Sequence, residues 1–184
     1  MLSRQAAIDL FAPLPVPALP VAANDAADQL ALHDLRSQLL ASLVTMEAGT
    51  LADMRIAYEH RGRGNLGLDA LGFARRAVGF ALQRELPDLE DYRPDTLNTL
   101  QVADLLRIWG MVERAGEPQP GDVLLFALPY AQLTIALEGK LHAGVPWARP
   151  ACRMGLGAWW RERLVSAWTF APRIAGAFTA GEGA

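Results

Sequence analysis

The spacing of apolar residues predicts helices in the first half of the chain and strands in the second. Between residues 24 and 48, leucines and Met46 recur every three or four positions, as on the buried face of a helix. Gly49 is predicted to end this helix, and Thr50 with Asp53 resembles a capping box that opens a second, short helix through Tyr58. Further helices are predicted over residues 70–86 and from residue 95 or 96 to residue 109.

Continuous apolar runs after residue 120 predict buried strands. They cover residues 122–126, 133–137 and 141–145, with a tight turn at Gly139 and Lys140. A short helix over residues 159–163 and a closing strand over residues 165–170 complete the pattern. Helices followed by an antiparallel sheet predict an α+β fold.

The first 23 residues are predicted to form an extended arm. Prolines 13, 15, 17 and 20 restrict the backbone and favour the polyproline II conformation. The arm is either a loose tail or a segment that lies along a partner protein, because Leu10, Phe11 and their neighbours are more apolar than a solvated tail requires. The predicted divisions are this arm at 1–23, a helical extension at 24–59, a main domain at 60–173 and a flexible tail at 174–184.

Composition excludes several classes of function. Apolar residues make up 52% of the 184, which suffices for a sizeable core, and the formal charge of −3 argues against a nucleic-acid binder. One cysteine and three histidines predict no disulfide, no zinc site and no cofactor. The longest uncharged stretch near the middle, residues 123–137, is too short for a transmembrane helix, which needs about 20 apolar residues.

Two apparent motifs carry little weight. Gly62, Gly64 and Gly67 match the glycine spacing of a dinucleotide-binding loop, but a charged helix rather than a strand is predicted before them. Cys152 and His142 are ten residues apart and could form a nucleophile–base pair if they lie on neighbouring strands. A cysteine on a strand is more often a small buried apolar residue.

A series of short motifs over residues 60–173 occurs in the order found in one family. The motifs are G-L-D-A-L-G-F-A-R at 67–75, Q-P-G-D-V-L-L-F at 119–126, K-L-H-A at 140–143, W-W-R-E-R at 159–163 and W-T-F-A-P at 168–172. The series resembles the NlpC-like cell-wall cysteine peptidases carried by the tails of siphophages and gene transfer agents. The resemblance implies a papain-like domain whose nucleophile begins a helix and whose histidine lies on an antiparallel sheet.

The resemblance also implies which residues occupy the catalytic positions. The family's cysteine position holds Ala70, its general-base position holds Gln132, and only its third, orienting position retains a histidine, His142. Neither a methyl group nor an amide can perform the papain-type chemistry. No cysteine, serine or threonine occurs from residue 51 to 95 and no histidine from 61 to 141, so a shift of alignment restores neither group.

Three functions follow from this resemblance. The first is a structural component of a phage tail tip or baseplate, located in the virion tail, made in the bacterial cytoplasm and bound to hub, distal-tail or fibre-bearing proteins. The second is an active peptidoglycan endopeptidase that uses Cys152 and His142 or a partner's nucleophile during genome entry. The third is a cell-wall peptide binder that does not cleave, against which a cleft filled by Trp109 or Trp147 would argue.

Overall fold

A computed structural model describes residues 26–64, 66–89, 92, 93 and 96–170, with side chains from residue 29 onward. The predicted arm at 1–23 and the tail at 174–184 lie outside these residues. The helices are α1 (Ala26–Asp53), α2 (Ala70–Leu82), α3 (Thr99–Ile108) and the short α4 (Ala158–Arg161). Asn98 caps α3 through a capping box with Gln101, so α3 begins later than its apolar spacing predicts.

The first helix is continuous where the sequence predicts a break. α1 has 28 residues and passes through Gly49, and the Thr50 hydroxyl donates to the Met46 carbonyl within the helix instead of capping a new one. The prediction of two helices was therefore wrong. Helical propensity is a weak local preference, whereas the buried residues Val44, Ala48 and Leu51 keep one face of a single helix against the core.

Six antiparallel strands form one sheet with the order β1-β6-β2-β3-β4-β5. The strands are β1 (Met111–Glu113), β2 (Val123–Ala127), β3 (Ala131–Leu137), β4 (Leu141–Gly144), β5 (Cys152–Gly155) and β6 (Leu164–Phe170). A one-turn 3-10 helix at Glu138–Lys140 joins β3 to β4, with Gly139 and Lys140 at positive φ. The apolar runs predicted β2, β3, β4 and β6, but neither of the two short edge strands, β1 and β5.

Both faces of the central strands are buried, which explains their continuous apolar runs. On one face, Leu133, Ile135 and Leu137 of β3 join the large core beneath α1, α2 and α3. On the other face, Phe126 and Ala136 pack in a smaller cluster with Trp160 of α4. All described elements therefore assemble around the sheet, and the predicted α+β class is confirmed.

The Pro-Gly-Asp motif allows α1 to pack closely against the start of β2. Gly121 has a φ of +88°, and a side chain there would collide with the backbone of Ala41 in α1. Asp122 is fully buried, and its carboxylate accepts bonds of 2.5 and 3.0 Å from Arg114 and one of 2.8 Å from the Gln119 amide. The motif thus serves close packing at the start of β2.

Within the described residues, no helix has the length and apolarity to cross a bilayer.

Candidate functional site

The amino end of α2 is held by one buried carboxylate. Asp69 is the N-cap residue, and its Oδ1 accepts the Gly72 amide at 2.7 Å and the Arg63 guanidinium at 2.9 Å. Its Oδ2 accepts the Arg61 amide at 2.9 Å and the Tyr92 hydroxyl. Burial and then the charge of Asp69 raise the pKa of Tyr92 above its usual value, so the phenol stays a donor. Four donors therefore satisfy the charge at the helix end.

The described residues of the glycine-rich segment before α2 are held by hydrogen bonds to each other and to distant parts of the chain. The Glu59 amide donates to Leu68 and the Leu68 amide to Ala57, which closes the loop on itself. Arg63 bridges Asp69 to Asp88, with a bond of 2.5 Å to the latter, and also donates to the Tyr92 hydroxyl. These contacts come from distant parts of the chain, so local composition does not reveal them.

The structure brings Ala70 and Gln132 together at the edge of one cleft. Ala70 is the first residue of α2 and is half-buried, and its methyl group lies where the helix dipole would stabilise a thiolate. Gln132 near the start of β3 is 3% exposed, and its amide nitrogen donates to the Val145 carbonyl at 3.0 Å. The Gln132 side chain therefore links β3 to the segment after β4.

Aromatic side chains close most of this cleft. Trp147 packs against Tyr130 with ring centroids 4.9 Å apart and against Tyr58 at 5.9 Å, and all three line the cleft. The remaining cavity is about 30 Å³, far below the roughly 300–1,000 Å³ of typical ligand pockets. Trp109 lies elsewhere, buried in the core with its indole N–H bonded to Pro87. The predicted filling of the cleft is thus confirmed for Trp147 and wrong for Trp109.

His142 lies away from the cleft. It pairs with Ala136, four residues beyond Gln132 along β3, or about 13 Å at the usual strand rise. The side chain is fully buried between Phe126 and Trp160, and its Nδ1 bonds Thr134 at 3.0 Å. Burial lowers the pKa of His142 to about 4, so the imidazole is neutral at pH 7. It cannot orient a group at Ala70 or Gln132 from this position.

The structure does not join Cys152 and His142 by a hydrogen bond. Gly144 pairs with Cys152 and His142 with Met154, so Cys152 is a diagonal neighbour of His142 on the same sheet face. The His142 Nε2 has no hydrogen-bond partner among the described residues, and Nδ1 is taken by Thr134. No three histidine, cysteine, aspartate or glutamate side chains converge to hold a metal ion within the described part of the chain.

The comparisons with known proteins concern the fold. No protein-family model matches the chain, and no curated protein matches it. One similar solved structure comes from Staphylococcus aureus and is described as similar to lipoprotein, of the NLP/P60 family. It superposes with a TM-score of 0.50 at 19% identity, and the alignment covers 70% of this chain and 40% of that one. The present fold is an NlpC/P60 fold. The predicted papain-like architecture is thereby confirmed.

A second NlpC/P60-fold structure is also similar. The NlpC/p60 domain of the peptidoglycan hydrolase SagA aligns with 71% of this chain and 97% of its own length, at 15% identity and a TM-score of 0.47. The present chain spans only about 40% of the length of the Staphylococcus aureus protein. At these identities the likeness concerns the NlpC/P60 fold alone.

Sequence reasoning missed the tyrosines of this NlpC/P60-fold cleft. The chain contains only three, and Tyr58, Tyr92 and Tyr130 all line the cleft although 72 positions separate the first from the last. Their rarity is a signal that could have drawn attention to them. Their convergence could not be predicted, because it depends on how β3 and the loop before α2 are placed in the fold.

Proposed function

We propose that this protein is a catalytically silent NlpC/P60-fold domain that serves as a structural component of a phage or phage-like tail tip or baseplate. The observation that carries the proposal is the cleft itself. Ala70 and Gln132 occupy the positions that the family resemblance assigns to nucleophile and base, and aromatic rings reduce the cavity beside them to about 30 Å³.

The chemistry of these residues supports the silent assignment. Acyl transfer in a papain-type site requires a thiolate at the helix N-terminus and an imidazole within hydrogen-bond reach. Ala70 offers no lone pair for attack. The Gln132 amide nitrogen carries no basic lone pair and is already donating to Val145. Cys152 and His142 provide no replacement, because neither lines the cleft and no hydrogen bond joins them.

The tail setting rests on the sequence resemblance. The motif series over residues 60–173 resembles the version carried by siphophage and gene-transfer-agent tails, and a small domain preceded by an apolar, proline-rich sequence suits assembly by protein contacts. The expected partners are hub, distal-tail or fibre-bearing proteins, and the expected location is the virion tail. Peptidoglycan would be a partner only if the protein were instead a cell-wall peptide binder that does not cleave.

Incubation with defined muropeptides tests the silent assignment. Wild-type protein and the Cys152→Ala variant are held overnight at high concentration with the substrate, beside an active peptidoglycan endopeptidase, and the products are weighed by mass spectrometry. We expect intact muropeptide with both proteins and cleaved peptide only with the active enzyme. Cleavage by the wild type that disappears in Cys152→Ala would establish an unorthodox cysteine peptidase instead.

Quantitative mass spectrometry of purified particles tests the structural role. A tail-tip component is expected at one fixed copy number relative to the other tail proteins, unchanged by Cys152→Ala. Absence from washed particles, or a copy number that varies between preparations, would contradict the structural role while leaving the silent assignment untouched.

A further inference from the structure

The mouth of the cleft presents three aromatic side chains with unused donors. Trp147 is 46% exposed, and its ring is tilted by 37° against Tyr58 and by 45° against Tyr130. Among the described residues, neither phenolic hydroxyl nor the indole N–H has a hydrogen-bond partner. A surface of tilted rings with unpaired donors suits an extended chain with free acceptors better than it suits a compact small molecule.

The electrostatics of this surface favour an uncharged occupant. Among the described residues that line the cleft, Asp69 is the only one with a carboxylate, and its two oxygens are already satisfied by four donors. Burial raises the pKa of Tyr58 and of Tyr130, so both hydroxyls remain protonated donors across the neutral range. The side chains of this surface that the structure describes therefore offer apolar ring faces and hydrogen-bond donors with no free charge.

A polyproline II segment has the complementary chemistry. Its carbonyl oxygens make no internal hydrogen bonds, and its proline rings pack on aromatic side chains, which is how aromatic grooves recognise proline-rich chains. Residues 13–20 of this chain contain four prolines, and residues 10–23 carry no charged side chain. We propose that the aromatic mouth formed by Tyr58, Tyr130 and Trp147 binds the proline-rich segment 13–20 of a second copy of this chain.

The geometry of α1 favours a second copy over the segment of the same chain. α1 spans about 40 Å at the usual helical rise, and its last residue, Asp53, precedes Tyr58 of the cleft by five positions. The backbone still follows the helix at residues 54 and 55, whose amides donate to carbonyls of the last helical turn. Even if residues 56–58 ran straight back along the helix, Ala26 would lie at least about 30 Å from Tyr58. The six links from Ala26 to Pro20 span at most about 22 Å, so Pro20 cannot reach its own cleft and the same chain could place at most the far end of segment 13–20 there.

Self-association of the full chain is the first test. Light scattering after size-exclusion chromatography is expected to show a mass above 19.9 kDa that rises with protein concentration. Replacing prolines 13, 15, 17 and 20 with alanine, or making Trp147→Ala, is expected to leave a monomer. Trp159→Ala is the matched control, because Trp159 is similarly exposed at 51% and lies on α4, outside the cleft. A wild-type monomer at all concentrations, or association that survives Trp147→Ala, would overturn the proposal.

Binding of the isolated segment is the second test. A fluorescein-labelled peptide of residues 10–22 is titrated with the full-length four-proline variant, whose own arm no longer competes. We expect binding that is insensitive to salt, at least tenfold weaker with Trp147→Ala added and unchanged with Trp159→Ala. Equal affinity for a peptide whose prolines are all alanine would refute recognition of a polyproline II chain.

A muropeptide competitor separates this inference from cell-wall binding. If muropeptide binds at Trp147 and the arm peptide does not, the cleft is a wall-peptide site and the proposal is wrong. Failure of the arm to bind would leave the tail-tip proposal standing, since tail proteins can join through other surfaces. Conversely, self-association is measured in solution without phage particles or muropeptides. It could therefore be observed even if the proposed structural role in a tail tip were wrong.

Discussion

At the scale of single residues, Asp69 and His142 show two ways in which this fold accommodates a buried polar group. Four donors surround the Asp69 carboxylate, among them the Arg63 guanidinium and the Tyr92 hydroxyl. Removing one partner of such a buried pair typically costs about 3–5 kcal/mol. His142 instead stays neutral, with one ring nitrogen bonded to Thr134 and the other without a partner among the described residues.

The neutral state of His142 makes stability depend on pH. Its pKa falls from 6.5 to about 4 on folding, so between these values the unfolded chain binds the proton and the folded protein does not. The stabilisation is therefore complete above pH 6.5 and is lost as the pH falls toward 4. The depression corresponds to roughly 3 kcal/mol. Urea unfolding of the wild type at pH 7 and pH 4 is expected to reveal a loss of about this size.

The variant His142→Phe isolates this effect, because its neighbours Phe126 and Trp160 are aromatic. The difference in stability between the two pH values is expected to shrink by most of that amount in His142→Phe. His60→Gln is the control, since His60 is exposed and should leave the pH dependence unchanged. An unaltered pH dependence in His142→Phe would mean that the imidazole is not buried as a neutral group.

At the scale of elements, α1 illustrates how tertiary packing overrides a local stop signal. Gly49 and Thr50 resemble the end of one helix and the beginning of another, yet the helix continues to Asp53. Gly49 lies beneath the Arg153 side chain, which forms an ion pair with Asp53 at 2.6 Å. The absence of a side chain at residue 49 therefore leaves room for the Arg153 guanidinium, and the glycine serves packing.

Proline at residue 50 tests whether the helix is continuous. Within a helix, proline removes a backbone hydrogen bond and clashes with the preceding turn, so Thr50→Pro is expected to destabilise the protein by about 3 kcal/mol. If Thr50 began a second helix, proline there would be tolerated. Urea unfolding with far-ultraviolet circular dichroism measures the loss. Thr50→Ala is the control and should change stability by less than about 0.5 kcal/mol because Thr50 is exposed.

At the scale of the whole molecule, one large core joins α1 to the residues that follow it. Val44, Ala48 and Leu51 are fully buried in the same cluster as Phe73 of α2 and Ile135 of β3. By contrast, Leu30, Leu35 and Leu39 in the amino-terminal half of α1 are 59–65% exposed. The domain boundary predicted between residues 59 and 60 stays a prediction. The burial of side chains divides α1 near its middle into an exposed amino-terminal half and a buried carboxyl-terminal half.

Truncation distinguishes the two halves of α1. Chain 37–184 is expected to keep the melting temperature of chain 24–184 within a few degrees, because the removed helix residues make few buried contacts. Chain 60–184 is expected not to fold, since it loses several fully buried side chains, each worth about 1.5–3 kcal/mol where large and apolar. Differential scanning calorimetry compares the three. A cooperative transition in chain 60–184 would show that residues 60–170 fold independently of α1.

Much of the fold could be predicted because it rests on local patterns. The runs at β2 and β3 are apolar on both faces, which is typical of central strands, and the motif order led to the papain-like architecture. The site could be predicted only in part. Ala70 and Gln132 were placed from motif positions and lie together at the cleft, whereas His142 follows the pairing of β4 with β3 and so lies beside Ala136.

Residue type and spacing along the chain were enough to locate most helices and the central strands, to assign the fold class and to show that residue 70 carries no nucleophile. They did not reveal that Tyr58, Tyr130 and Trp147 close the cleft or that His142 is buried behind the sheet. These features depend on strand register and on contacts between residues far apart in the chain. A shift of one residue in pairing would turn each strand side chain to the other face, so neither feature follows from local pattern.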